Sequence, residues 1–90
     1  MPHVICEVSE GLRDSERTAA VKDVNGRRQF LRVDKDFLTE ERGKFYLPVG
    51  IVHIAKDKKV LIELPHEADS GANRLWVHAD NLLNPVEAQA

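Results

Sequence analysis

The chain has 90 residues, 42% hydrophobic and 31% charged, enough for one packed core and not for two, which excludes both a two-domain protein and a wholly disordered one. Thirteen basic residues face 15 acidic ones for a formal charge of −2, and the balance is even along the chain, nine against nine in residues 1–45 and four against six beyond. That lacks the basic excess of a generic nucleic-acid or membrane-surface binder, and leaves room only for a local patch.

The single cysteine, Cys6, cannot close a disulfide within the chain. The stretch MPHVICEVSE has neither the basic start nor the apolar run of an export signal, and no segment approaches the ~20 apolar residues of a membrane span. A cytoplasmic address is therefore expected.

Residues 3–8, HVICEV, form a β-branched run that predicts a first strand, followed by the polar loop SEGLRDSE. Next, RTAAVKDV and RRQFLRV flank Asn25-Gly26, a dipeptide suited to the positive φ angles of a type I′ turn. A two-residue loop there sets Val24 opposite Arg27, Asp23 opposite Arg28, Val21 opposite Phe30 and Ala20 opposite Leu31. The hairpin base then packs while its charged tip projects into water. In DKDFLTEERGK, Asp36 is placed to cap one or two turns of helix or 3₁₀ helix, and Gly43 to end them.

FYLPVGIVHIA and VLIELP predict a second hairpin around KDKK, with Asp57-Lys58 as its loop. That register pairs Ile54 with Leu61, His53 with Ile62 and Ile51 with Leu64. Both faces are then largely apolar, which reads as central strands covered twice, in a barrel or across a homodimer contact. HEADSGANR is a polar loop, LWVHA the last strand and DNLL a closing turn, so residues 1–83 form a single domain and 84–90 a flexible C-terminal tail. The segments LRVDKDFL (31–38) and LWVHADNL (75–82) share the spacing L-x-V-x-x-D-x-L. Each predicts a strand entering an Asp-capped turn, on Asp36 or Asp80, that tucks a leucine, Leu38 or Leu82, under the barrel.

The fold class is thus mainly β, a small five- to six-stranded barrel with one short helical or 3₁₀ turn. Within Pro48 to Leu83, the segments PVGIVHI, VLIELP and GANRLWVHADNL resemble the PRC barrel, named for the photosynthetic reaction-centre H subunit, in which a comparable G-x-R-x-x-V segment leads into the closing turn. This chain has Val77-His78 where that family usually has Val-Pro. Trp76 and the following ADNL are also similar to the aromatic strand and 3₁₀ turn that close Src-homology-like barrels. Either resemblance implies a noncatalytic interaction or regulatory module with no cofactor; fold alone does not fix function.

Several residues are candidates for chemistry. His66, Glu67 and Asp69 share a loop and carry metal-ligating groups, but their spacing fits a solvated loop better than a metal site. Cys6 lies in an apolar run where a thiol is usually inert filling. His53, between isoleucines, reads as a neutral, hydrogen-bonded core residue. Trp76 belongs either to the core, the commoner place for a single Trp, or to the barrel mouth. With Arg74, His66 and Asp69 it makes the predicted partner-binding site, an adaptable loop beside an aromatic side chain. The alternative is single-stranded nucleic acid on Arg28, Phe30 and Arg32, where alternation puts an aromatic between two cations on one face.

Overall fold

The computed structural model describes residues 1–83, so the tail predicted for 84–90 lies outside the described residues. Nine strands follow in order: β1 (His3–Glu10), β2 (Glu16–Lys22), β3 (Arg28–Asp34), β4 (Thr39–Glu41), β5 (Lys44–Pro48), β6 (Gly50–Ile54), β7 (Lys59–Glu63), β8 (Arg74–His78) and β9 (Leu82–Leu83). Two 3₁₀ turns, Lys35–Phe37 and Ala79–Asn81, replace the single turn expected, and the strand count exceeds the five or six predicted. The strands form two antiparallel sheets, one ordered β3-β2-β1-β5-β4 with β9 also on β1, the other β6-β7-β8. Among the described residues no helix is long and apolar enough to cross a membrane.

The L-x-V-x-x-D-x-L pair marks a repeat of architecture. In each copy the leucine and valine of the strand are buried, Leu31 with Val33 and Leu75 with Val77, as period-two alternation requires. A 3₁₀ turn follows, and Leu38 and Leu82 close it with their N–H groups on the carbonyls of Lys35 and Ala79 while packing on the core. The preceding hydrogen bonds also correspond. Lys35 N–H donates to the Ser15 carbonyl (2.8 Å) beside the start of β2, and Ala79 N–H to the Lys58 carbonyl (2.7 Å) beside the start of β7. Thr39 of β4 then lies opposite Tyr46 of β5, and Leu83 of β9 opposite His3 of β1.

The chain is therefore two units, β1–β4 and β5–β9, that exchange their last short strands. They meet where β1 and β5 pair antiparallel, with Val4 opposite Leu47, both fully buried.

The first hairpin corrects the predicted turn. Asp23 N–H donates to the Arg27 carbonyl (2.9 Å) and Gly26 N–H to the Asp23 carbonyl (3.0 Å), a three-residue loop with Gly26 at φ 82°. The Asp23 carboxylate accepts from the N–H groups of Asn25 (2.9 Å) and Arg27 (3.0 Å), bonds that hold this wider loop. The register moves by one residue, so Ala20 faces Phe30 and Ala19 faces Leu31. Val21 turns into the core and Phe30 outward. The other unit builds the same loop at Ala68–Ala72, with Gly71 at φ 90°.

A two-residue turn with both φ angles positive does occur, but at Arg42-Gly43 between β4 and β5 (φ 56° and 79°). Gly43 thus shapes a hairpin instead of ending a helix, and Asp34, not Asp36, caps the first 3₁₀ turn through the Asp36 N–H.

The predicted second hairpin also changes. FYLPVGIVHIA breaks at Val49, whose N–H bonds to the Pro2 carbonyl, so β5 joins the large sheet and β6 the small one. Ala55 N–H donates to the Lys59 carbonyl, making the β6–β7 loop three residues long with Lys58 at φ 59°. His53 now faces Leu61 and Ile54 faces Val60, while a bulge between Ile51 and His53 resets the register so that Ile51 faces Ile62. Far from being central, β6 is an edge strand, with Val52 38% and Ile54 41% exposed.

Candidate functional site

The loop joining β7 to β8 folds along the edge of β3. Asp69 N–H donates to the Phe30 carbonyl (2.7 Å), and His66 places Nε2 2.7 Å from the Arg32 carbonyl. The Asp69 carboxylate meets the Arg32 guanidinium at 3.2 Å, and Ser70 Oγ donates to Gln29 Oε1 at 2.7 Å. In return, Val24 at the tip of the first hairpin donates its N–H to the Trp76 carbonyl on β8 (2.8 Å). Each unit thus clasps the outer strand of the other, and backbone groups that would otherwise stand open at two sheet edges are satisfied.

This clasp divides the predicted partner site. His66 and Asp69 are spent on β3, beside Phe30 and Arg32, whereas Trp76 and Arg74 lie on β8. It also bears on the nucleic-acid face. Arg28, Phe30 and Arg32 do share one exposed face, with Phe30 42% exposed. Both cations carry a carboxylate partner, Arg32 on Asp69 and Arg28 on Glu7 at 3.1 Å, the latter in place of the predicted Asp23. A phosphate there would share those guanidinium groups with two carboxylates, which lowers the net positive charge it meets.

Trp76 is not core: it stands 37% exposed on the outer face of the small sheet. The registers align His53, Leu61 and Trp76 in one row across β6, β7 and β8. The His53 ring meets the Trp76 ring edge-on, at 90° with centroids 6.1 Å apart, so His53 is exposed and braces the indole instead of filling the core. Beside this row Glu63 and Arg74 lie opposite one another across β7 and β8, their charged groups 3.9 Å apart.

The feature that sequence reasoning missed is the neighbouring edge, β6 with Val52 and Ile54. Its one signal was His53 itself, a polar residue amid apolar ones, which marks an outward position.

The two units differ at this edge. In β1 the segment from Glu7 to Glu10 ladders only with β2, as β6 ladders only with β7. The β1 segment carries two glutamates, the kind of charge that discourages a further strand, whereas β6 carries no charged residue.

Burial pushes the Cys6 thiol up to about 12, so it is protonated at neutral pH and a poor nucleophile. Among the described residues no three His, Cys, Asp or Glu side chains gather where they could hold a metal ion. Comparison of the chain with protein-family models, with curated proteins and with solved structures gives no match.

Proposed function

We propose that this protein is a noncatalytic interaction module, a small barrel of the Src-homology or PRC type, whose protein partner docks on the outer face of the β6–β8 sheet and along β6. The observation that carries this reading is the conjunction of a braced, exposed Trp76 with an uncharged edge strand exposing Val52 and Ile54. An aromatic anchor supplies contact area at low entropic cost, and an unguarded edge offers backbone hydrogen bonds to an extended segment. Arg74 and Glu63 form the polar rim of such a surface. In this reading, His66 and Asp69 pin the β7–β8 loop of the same unit to β3 instead of touching the partner.

The test is capture by tagged protein from native lysate, with and without nuclease, using wild type, Trp76→Ala, Val52→Lys and Arg28→Ala/Arg32→Ala. Proteins retained after nuclease and lost with the first two variants support the module. Recovery that vanishes with nuclease and with the arginine pair moves the function to single-stranded nucleic acid. A second copy of the chain as the retained species makes the surface a homodimer contact.

A further inference from the structure

The two units each enclose a cleft at the same place in the fold, and the linings diverge. The register relates Tyr46 to His3, so Lys44 in one unit answers to Met1 in the other; likewise Lys22 answers to Pro65 and Asn81 to Phe37. The second-unit cleft, about 450 Å³, is walled by Met1, Phe37, Leu64 and Pro65. The first-unit cleft, about 420 Å³, has Lys44, Asn81 and Lys22 at the corresponding places, with Arg28 and Glu7 at the rim and Phe45 along one wall. Since the fold forms the same cleft with Met1, Phe37 and Pro65 at those places, and with Glu63 as its one charged lining side chain among the described residues, it does not require cations here.

Glu41 lies opposite Lys44 across β4 and β5 without closing an ion pair. Arg28 and Glu7 satisfy one another at 3.1 Å, but among the described residues neither Lys22 nor Lys44 has a carboxylate within salt-bridge distance. Two ammonium groups border one concavity, and among the described residues its single lining carboxylate, Glu7, is already engaged, an arrangement that favours an anion. Its volume falls in the range of small-molecule sites, and Phe45, Ala20 and Ile5 offer an apolar wall.

We propose that this cleft binds a small organic anion, its phosphate or carboxylate oxygens between Lys22 and Lys44 and its apolar body against Phe45. Phosphate and carboxylate heads present the same chemistry to the two lysines, and the choice between them falls to the experiment.

The full chain is titrated with phenyl phosphate, benzoate, inorganic phosphate and phenol, following amide shifts of Cys6, Gly43 and Lys44 by NMR. A saturable response to phenyl phosphate or benzoate, exceeding that to inorganic phosphate and to phenol, is expected; the stronger of the first two names the head group. Lys22 and Lys44 are exposed, so alanine there leaves the core intact. Each single variant should weaken binding about threefold and the pair about tenfold. Lys56→Ala/Lys59→Ala removes the same charge outside the cleft and should leave binding unchanged. Equal weakening by that control pair, a response that does not saturate, or inorganic phosphate matching phenyl phosphate would overturn the proposal.

Discussion

The first unit, β1–β4, and the second, β5–β9, solve one packing problem twice and present different surfaces. They share what the core demands: Leu31 and Leu75, Val33 and Val77, the tucked Leu38 and Leu82, and a glycine at the same point of each clasping loop. They diverge where nothing in the ladder constrains them. One open edge is guarded by Glu7 and Glu10, the other exposes Val52 and Ile54; one cleft is edged by lysines, the other by Met1, Phe37 and Pro65. The comparison acts as an internal control. What both units keep serves the fold, and what only one carries is available for binding.

The sharpest way to break this equivalence is in the core. Leu31→Ala and Leu75→Ala should each cost about 2–5 kcal/mol, by similar amounts, in urea denaturation. A loss at one position with silence at the other would mean that the units do not share the packing burden. At the clasping loops, Gly26→Ala and Gly71→Ala meet no atom within 4 Å, so only the positive φ opposes them, and each should lose about 1 kcal/mol. Lys58 holds the same kind of conformation without glycine, and Lys58→Gly should return up to about 1 kcal/mol.

The 3₁₀ turns offer a smaller contrast. Asp34 caps the first with its side chain, while His78, with nearly the same backbone angles, caps the second with none. Asp34→Ala should lose about 0.5–1 kcal/mol in thermal or chemical unfolding, and His78→Asp should gain a similar amount.

The smallest effect concerns Cys6, which stands where the other unit has Val49. The unfolded thiol ionises from about 9.0 and the folded one only near 12. Between those values the unfolded state has released a proton that the folded state keeps, so raising the pH favours unfolding. Denaturation midpoints measured from pH 8 to 11 should decline above pH 9 in the wild type, and less steeply in Cys6→Val.

Much of the β framework was legible in the sequence because alternation and turn residues are local signals. The first strand, both hairpins, the polar 66–74 loop and the L-x-V-x-x-D-x-L parallel all follow from them. The registers were not legible, because they depend on the competition between turn types. Asn25-Gly26 favours a two-residue loop when considered alone, yet the Asp23 carboxylate bonds the N–H groups of Asn25 and Arg27 and holds a three-residue one. Likewise, nothing local in VGIVHIA shows that Val49 divides two sheets or that β6 lacks a neighbour on one side, so His53 reads from sequence as a core residue and Trp76 as either core or barrel mouth.

Of the candidate residues, Trp76 and Arg74 share the exposed face of β8, while the contacts of His66 and Asp69 emerge only when two distant segments meet. Ion pairing decides the Arg28, Phe30 and Arg32 face in the same way: their spacing is visible in sequence, and Glu7 and Asp69 are not near in sequence to either arginine.

The pairing of Leu83 with His3 has one more consequence. Thr39 and Tyr46 lie opposite each other in the same manner, and there the chain crosses between them through Glu40–Phe45. A chain joined from Leu83 to His3 by a hairpin of that kind, and opened instead at Arg42-Gly43, would preserve the order of strands around a closed loop of connections. The two pairs, Leu83 with His3 and Thr39 with Tyr46, are corresponding corners of the described backbone. Such a circular permutant should fold with the same core, and a slower appearance of native structure would measure how far β4–β5 guides the assembly.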